Sequence, residues 1–199
     1  MEEIGLYFGS FNPIHNGHLI IASHILNETA ISKIWFILSP QNPLKKSTSL
    51  LNEYQRLHLL RLAIDNDPFR FTASDIEFKL PRPSFTIDTL TYLEEQYPGK
   101  KFSIIMGSDS FTNLHKWKNH HLILERYQLY VYLRSGFLKP EQIGENVHFL
   151  NAPLLDISST HIRELIIKKK SIRYLTPDVV VDDIENNNYY RNNSGKNKT

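Results

Sequence analysis

Residues 9–18, which read GSFNPIHNGH, hold the side chains near the start of the chain that are best suited to chemistry. Gly9 allows a tight turn and a close approach of the backbone to a ligand. His15 and His18 flank Gly17, and both can face one ligand as imidazolium ions or as neutral N–H donors. If a helix follows, its first N–H groups and its dipole attract an anion as well. The segment therefore suits phosphate oxygens.

Other interpretations of this segment stay open. A strand, a glycine and a helix often follow one another without any ligand. Two histidines three residues apart can also belong to a metal site, but the chain has no cysteine and no HExxH motif, which argues against structural zinc. The segment also lacks the GxGxxG fingerprint, which disfavours a nicotinamide-dependent dehydrogenase.

A second segment, residues 157–163, reads ISSTHIR and opens a predicted helix with hydroxyl side chains. Alone, such residues are ordinary helix caps. Thr160 and Arg163 are three residues apart, so they share one face of a helix. Ser159, Thr160 and the guanidinium would then converge on one anion. Two helix starts suited to phosphate in one chain favour a polyphosphate ligand.

Short apolar strands and amphipathic helices alternate along the chain, which indicates how these segments are positioned. The alternation predicts an α/β, Rossmann-like, doubly wound and mostly parallel sheet with helices on both faces. Ligands of such sheets bind beyond the carboxyl ends of the strands. The loops at those ends follow Phe8, Ser39, Met106 and Leu150. The predicted strands are 3–8, 33–39, 69–78, 101–106, 128–133 and 147–150; the predicted helices are 17–28, one from Asn52, 86–97, 159–169 and 178–185.

The composition is that of an ordinary globular chain. The 199 residues are 41% hydrophobic and 22% charged. We expect one domain over residues 1–185. Residues 186–199 read NNNYYRNNSGKNKT and are predicted to be a disordered polar tail, because few of them can bury apolar area.

Charge and hydropathy exclude several kinds of partner. The formal net charge is only +2, so a nucleic-acid partner is not expected. No apolar run approaches the ~20 residues that span a bilayer, so no membrane partner is expected. The first residues, MEEIGLYFG, lack the basic and then apolar build of a signal peptide. We therefore predict a cytoplasmic protein and leave homo-oligomerisation open.

Together, GSFNPIHNGH and ISSTHIR resemble the two signatures of the nucleotidyltransferase superfamily that carries the HxGH and (S/T)xxR motifs. The resemblance runs over nearly the whole chain, roughly residues 4–183. It is specific to bacterial nicotinate-nucleotide adenylyltransferases through WFILSPQNPLKK, PSFTIDTL, IIMGSDSF followed by Trp117, and RYLTPDVV. The chain departs from that family at Asn12, where Asp is usual, at PLKK, where PPHK is usual, and at Phe8, which replaces the first of two glycines.

The resemblance implies transfer of AMP from ATP to nicotinate mononucleotide, giving nicotinate adenine dinucleotide and pyrophosphate. By the same resemblance, His15 and His18 would contact the ATP phosphates, and Lys46 and Arg163 would neutralise the charge that develops during transfer. Mg²⁺ is expected to be held mainly by substrate phosphates and water. Further ATP contacts would come from Gly9, Ser10, Phe11, Ser159 and Thr160.

The resemblance also implies an acceptor site. Thr86 would contact the carboxylate of the pyridine ring, and Trp117 would stack on that ring. Gly107 and Asp109 follow a strand end, where Asp109 could accept hydrogen bonds from ribose hydroxyls. From the residues alone, a partly buried core aromatic is the favoured interpretation of Trp117, and a helix cap that of Asp109.

Four alternatives stay in view. A sister enzyme could use nicotinamide mononucleotide or phosphopantetheine, although phosphopantetheine relatives carry TxGH at the position of His15. A catalytically inactive nucleotide-binding protein could share the fold, but it should lack one of the motif residues, and all are present. An RNA-binding module is opposed by the near-neutral charge. A class I aminoacyl-tRNA synthetase needs a longer chain.

Overall fold

The computed structural model describes residues 1–41, 50–134, 136–137, 139–140, 144–153 and 156–191. Within these ranges, a six-stranded sheet has the order β3-β2-β1-β4-β5-β6, and its neighbouring strands are parallel. This confirms the predicted doubly wound fold. The strands are β1 (Glu2–Gly9), β2 (Lys33–Leu38), β3 (Phe71–Ser74), β4 (Lys100–Gly107), β5 (Gln128–Tyr132) and β6 (Val147–Leu150).

The helices cover both faces of the sheet. Ile4 and Leu6 of β1 belong to one buried cluster, whereas Tyr7 belongs to the other, because successive side chains of a strand point to opposite faces. Helices α1, α2, α6 and α7 contribute to the cluster that holds Tyr7, and α3 and α5 contribute to the second. The helices are α1 (Asn16–Glu28), α2 (Glu53–Ile64), α3 (Thr86–Gln96), α4 (Ser108–Thr112), α5 (His120–Arg126), α6 (Ser159–Ile167) and α7 (Asp178–Asn186).

Strands β1 and β4 are neighbours in the sheet although two other strands lie between them in the sequence. The chain fills one half of the sheet from β1 outward and then the other half from β4 outward. At this reversal, the connection after β1 and the connection after β4 pass to opposite faces of the sheet. They leave a crevice at the carboxyl ends of these two strands. The crevice begins at Gly9 and Gly107, the last residues of β1 and β4.

The prediction of an extended segment over 69–78 is only partly right. Strand β3 ends at Ser74, and Ile76–Lys79 forms a 3-10 helix. The chain turns there because Glu77 points inward, where it accepts hydrogen bonds from Ser84 Oγ at 2.8 Å and Thr89 Oγ1 at 3.0 Å. A buried carboxylate needs such donors, and no strand pattern reveals them.

The tail is shorter than the sequence predicts. Helix α7 ends at Asn186, and the following turn places Tyr189 and Tyr190 against the buried cluster that holds Tyr7. For residues 186–191 the expectation of disorder is therefore wrong, because these two aromatic rings find apolar area to cover. Residues 192–199 lie outside the described ranges.

Within the described ranges, no helix is long and apolar enough to cross a membrane.

Candidate active site

His15 and His18 lie at the start of α1 and form a stacked pair. Their ring centroids are 3.7 Å apart, with the ring planes inclined by 26°. The backbone N–H of His15 donates to Nδ1 of His18 at 3.3 Å. Because Nδ1 accepts this bond, the proton of a neutral His18 ring resides on Nε2. His18 therefore offers Nε2–H as a donor to a ligand.

Both rings are neutral at pH 7 when no ligand is bound. Burial, and then the positive charge of Arg134, lowers the pKa of His15 to about 4. Burial also lowers the pKa of His18 well below its usual range, and the charges of His15 and Arg134 act in the same direction. Of the two forms expected from the sequence, the neutral N–H donor is thus the one present in the free protein.

Packing around the pair fixes its position. The ring of Phe11 is buried and meets the His18 ring edge-on, with centroids 5.1 Å apart. Phe11 holds this place with a φ of 41°, a left-handed conformation that is strained for a residue with a Cβ. A Cβ at Gly17 would lie 3.0 Å from Nδ1 of His15. A side chain at position 17 would therefore push the ring of His15 from its place by a few tenths of an ångström.

The second signature bonds directly to the first. Ser159 Oγ donates to the carbonyl of Pro13 at 2.8 Å, and Arg163 donates to the carbonyl of Asn12 at 2.7 Å. A second guanidinium nitrogen of Arg163 donates to Thr160 Oγ1 at 3.2 Å, so these two side chains share a helix face as predicted. Ser159 and Pro13 are 146 residues apart along the chain, and Arg163 and Asn12 are 151 apart. Their convergence on one place is confirmed.

Arg56 of α2 holds the loops that follow β1 and β2. No sequence pattern indicated this role. The side chain of Arg56 is fully buried. Its guanidinium donates to the carbonyls of Ser10 at 2.7 Å, Ser39 at 2.9 Å, Pro40 at 2.9 Å and Leu51 at 2.8 Å. One residue therefore ties the ends of β1 and β2 to the start of α2. Nothing in the local pattern distinguishes it from a surface arginine.

Two pockets open at the carboxyl edge of the sheet. The first, about 1190 Å³, we call the histidine pocket, since His15 and His18 lie in its wall. Ser158, Asp156 and Arg134 also line it. Ser158 caps α6 by accepting a hydrogen bond from the backbone N–H of His161 at 3.2 Å. This pocket thus joins two helix N-termini with neutral imidazole donors and a guanidinium.

The second pocket, about 930 Å³, we call the aromatic pocket. Phe85, Thr86 and Trp117 line it, together with Gly107 at the end of β4. A Cβ at Gly107 would lie 2.5 Å from Oδ1 of Asp109 and 3.0 Å from the ring of Tyr132, so any larger residue there would displace both side chains. The pocket offers ring faces and the start of α3, where the first helical N–H groups have no partner within the helix, which suits a flat aromatic ring with a polar substituent.

Tyr7 and Tyr132 line both pockets and form the wall between them. The hydroxyl of Tyr7 donates to that of Tyr132 at 3.2 Å. Arg134 lies 3.5 Å from the Tyr132 hydroxyl and 3.3 Å from Oδ1 of Asp109. Burial raises the pKa of Tyr7, so its hydroxyl stays protonated at neutral pH. The wall is therefore hydrogen-bonding rather than ionic, and a cation stands at its edge.

Arg134 is a second residue that the sequence analysis missed. It follows the end of β5 and its side chain is 56% exposed. Ligands bind beyond the carboxyl ends of the strands in such sheets. Applied to β5, this rule would have indicated Arg134. Asp109, predicted to contact ribose, forms an ion pair with Arg134 and is not among the described lining of either pocket.

The aromatic pocket also contains a buried acid. Glu77 is only 2% exposed, and burial raises its pKa although hydroxyl donors lower it. These donors connect the 3-10 helix to the start of α3. Glu77 therefore braces the wall that presents Thr86, and its negative charge opposes any anionic group in the pocket.

The structure brings most predicted site residues to this edge. The wall of the histidine pocket includes His15 and His18, and that of the aromatic pocket includes Gly9, Thr86, Gly107 and Trp117. Five further predicted residues are not among the described lining of either pocket and have the contacts given above: Ser10, Phe11, Ser159, Thr160 and Arg163. Lys46 lies outside the described residues.

The described residues contain no group of three or more His, Cys, Asp or Glu that could hold a metal ion. In the histidine pocket the carboxylate available is that of Asp156, beside neutral imidazoles. This donor set suits a divalent cation that arrives on phosphate oxygens and keeps its water.

Comparison with known proteins gives the family. The cytidylyltransferase-like family model matches residues 6–165. The chain is 47% identical over 192 residues to a protein of Flavobacterium psychrophilum, covering 95% of this chain and 99% of that protein. It is 48% identical over 194 residues to a protein of Cytophaga hutchinsonii, covering 96% and 99%. Both relatives are named nicotinate-nucleotide adenylyltransferase.

Solved structures agree in fold. The structure of Plasmodium falciparum nicotinic acid mononucleotide adenylyltransferase complexed with NaAD superposes with a TM-score of 0.81 at 23% identity, covering 96% of this chain and 98% of that chain. The same enzyme complexed with APC gives a TM-score of 0.80. The fold, the paired signatures and the whole-length relatives agree. The chain belongs to the cytidylyltransferase-like family and, within it, to the nicotinate-nucleotide adenylyltransferases.

Proposed function

We propose that the protein transfers AMP from ATP to nicotinate mononucleotide, a step of NAD biosynthesis. The observation that carries the proposal is the pair of pockets that share the Tyr7–Tyr132 wall. One offers donors for a polyphosphate and the other offers aromatic faces for a pyridine ring. Relatives that match the full length of the chain at 47–48% identity support the same activity.

The reaction needs no general base. A phosphate monoester has its second pKa near ~6, so the acceptor phosphate is already ionised at neutral pH. One of its oxygens forms a bond to the α-phosphorus of ATP, and the bond between that phosphorus and the bridging oxygen to the β-phosphorus breaks. The electron pair leaves with pyrophosphate. Catalysis then depends on alignment and on stabilising negative charge.

Residues at the shared wall supply both the alignment of the substrates and the stabilisation of negative charge. The Nε2–H of His18, the ring of His15 and the guanidinium of Arg134 would contact phosphate oxygens in the histidine pocket. Arg163 and Ser159 would act mainly by fixing the backbone at Asn12 and Pro13, to which they are bonded. Lys46 stays a predicted cation for the leaving group. When bound on the nucleotide, Mg²⁺ would reduce the repulsion between the two anionic substrates.

The acceptor would place its ring in the aromatic pocket. Trp117 would stack on the pyridine, and the backbone N–H groups at the start of α3, near Thr86, would donate hydrogen bonds to its carboxylate. The ring then lies on one side of the wall and the nucleotide on the other, so the acceptor phosphate meets the α-phosphate beside Tyr7 and Tyr132. The cytoplasmic location and the state of oligomerisation stay predictions.

The test is an assay of the purified protein with ATP and Mg²⁺, in separate reactions with nicotinate and nicotinamide mononucleotides. Release of pyrophosphate and formation of the dinucleotide are both measured. We expect strong preference for nicotinate mononucleotide. Equal or reversed preference would overturn the acceptor while keeping the transfer chemistry. No product with either acceptor would overturn the proposed function and favour an inactive nucleotide-binding protein.

A further inference from the structure

A lysine is fixed at the rim of the aromatic pocket, beside the start of α3. Lys118 lines this pocket together with Phe85, Thr86 and Trp117. Its ammonium donates to both carboxylate oxygens of Asp88, at 2.9 Å each. It also lies 5.1 Å from the centroid of the Phe85 ring, at cation–π distance. The charge is therefore held over the first turn of α3 instead of moving freely in solvent.

The charged groups around the aromatic pocket indicate what the charge of Lys118 can do. The first N–H groups of α3 already carry partial positive charge. Against them stands the buried carboxyl of Glu77 in the wall of the same pocket, and Asp88 in the first turn adds a further negative group. An anionic substituent on a bound ring would meet this opposing charge. Two lysines of the described lining, Lys116 and Lys118, can offset it, and Lys118 is the one held over the first turn of α3.

We propose that Lys118 is a specificity-determining residue, whose positive charge favours an acceptor with a pyridine carboxylate over one with the neutral amide. This inference rests on the proposed function. The two acceptors have the same shape except for one group of similar size, so packing separates them poorly. A fixed charge near that group distinguishes an anion from a neutral amide.

The test compares the ratio of kcat/KM for nicotinate mononucleotide to that for nicotinamide mononucleotide. Lys118→Met should lower this ratio about tenfold, which corresponds to about 1.4 kcal/mol, because the variant removes a unit charge that lies several Å from the ring substituent. Lys118→Arg should keep most of it. A purely structural role would change both acceptors alike and leave the ratio constant.

Lys101→Met provides a matched control. Lys101 is also an ion-paired lysine, 3.3 Å from Glu3, but it lies at the start of β4, at the opposite end of that strand from Gly107. We expect the kcat/KM ratio of Lys101→Met for the two acceptors to equal that of the unchanged protein. Raising the salt from about 0.05 M to about 0.5 M should lower the ratio for the unchanged protein and leave it constant for Lys118→Met, because salt screens an exposed charge.

Equilibrium binding keeps the two proposals separate. Dissociation constants of both acceptors, measured by calorimetry with each variant, should show the same change of ratio whether or not transfer occurs. An unchanged binding ratio in Lys118→Met overturns the role of Lys118 and leaves the proposed function standing. A shifted binding ratio without any transfer supports Lys118 and overturns the proposed function.

Discussion

At the scale of single residues, the neutral state of His15 and His18 decides how they can contact a polyphosphate. A neutral Nε2–H donates a directed hydrogen bond, whereas an imidazolium would also supply a full charge. The rings lack that charge because they are buried and lie near Arg134. In the free protein, positive charge at the shared wall is provided by the guanidinium.

Replacing His18 should remove the donor without unfolding the protein. We expect His18→Ala to lower kcat by about 10²–10³, the usual cost of losing one donor to developing negative charge. His18→Gln places an amide N–H near the position of Nε2 and should retain more activity. Steady-state assays check both, with His24→Ala on the same helix as the control. Turnover of His18→Ala equal to that of the unchanged protein would contradict the role.

Binding of ATP should be coupled to proton uptake. The phosphates bring negative charge beside rings whose pKa values are depressed, that of His15 to about 4, so binding raises those values. The complex then holds more protons than the free protein, and affinity rises as the pH falls from about 8 to about 6. Calorimetry in buffers of different ionisation enthalpy measures this uptake.

The nucleotide's own ionisation contributes to such a measurement. The same titrations with His18→Ala therefore serve as the reference, and the difference between the two proteins reports the proton taken up by His18. Equal proton uptake by both proteins would show that the His18 ring stays neutral in the complex.

At the scale of elements, the start of α1 is built for the His15 ring and not for helix stability. Alanine at Gly17 would favour the helix by up to about 1 kcal/mol, yet its Cβ would lie 3.0 Å from Nδ1 of His15. We expect Gly17→Ala to unfold at the same temperature or higher, while its kcat/KM falls at least several-fold because the ring is displaced. Thermal unfolding and steady-state kinetics on one sample check both. Full activity would mean that the ring can move without cost.

Sequence patterns predicted the strands and long helices because their apolar periodicity is repeated over many residues. They also identified residues 9–18 and 157–163 as the two signature segments, since the residues of each segment are contiguous in the sequence. They could not predict that Ser159 and Arg163 would bond to the backbone of Pro13 and Asn12, because the pairing depends on how α6 packs. Arg56 was missed for the same reason, since its partners are carbonyls that every residue has.

Short elements were missed for another reason. Helices α4 and α5 have five and seven residues, too few to show helical periodicity. The turn at Ile76–Lys79 depends on one buried acid, Glu77, whose donors come from a later helix. Local patterns carry no information on such contacts.

At the scale of the whole molecule, the segment after α7 returns to the neighbourhood of the site. Tyr190 is near enough to Arg56 and Arg163 for their charges to act on its hydroxyl, and burial raises its pKa. Tyr189 and Tyr190 cover apolar area of the cluster that holds Tyr7. The turn after α7 therefore lies close to the same arginines that hold the loops of the histidine pocket.

Removing residues 189–199 should destabilise the protein by about 2 kcal/mol, as expected when two partly buried aromatic rings are lost, and should lower kcat. Removing only residues 192–199, which include no apolar side chain, should change neither quantity. Denaturant unfolding and kinetics of the two truncated proteins measure this. Equal stability of both would show that the tyrosines contribute nothing to the fold.

The shared wall has a consequence for inhibitor design. The two pockets are separated by the hydroxyls of Tyr7 and Tyr132, so one molecule can occupy both if its linker passes beside those groups. Joining a flat aromatic acid to a nucleotide-like group makes binding of the second part intramolecular. A linker with a hydrogen-bond acceptor opposite the tyrosines would favour this compound over either fragment alone.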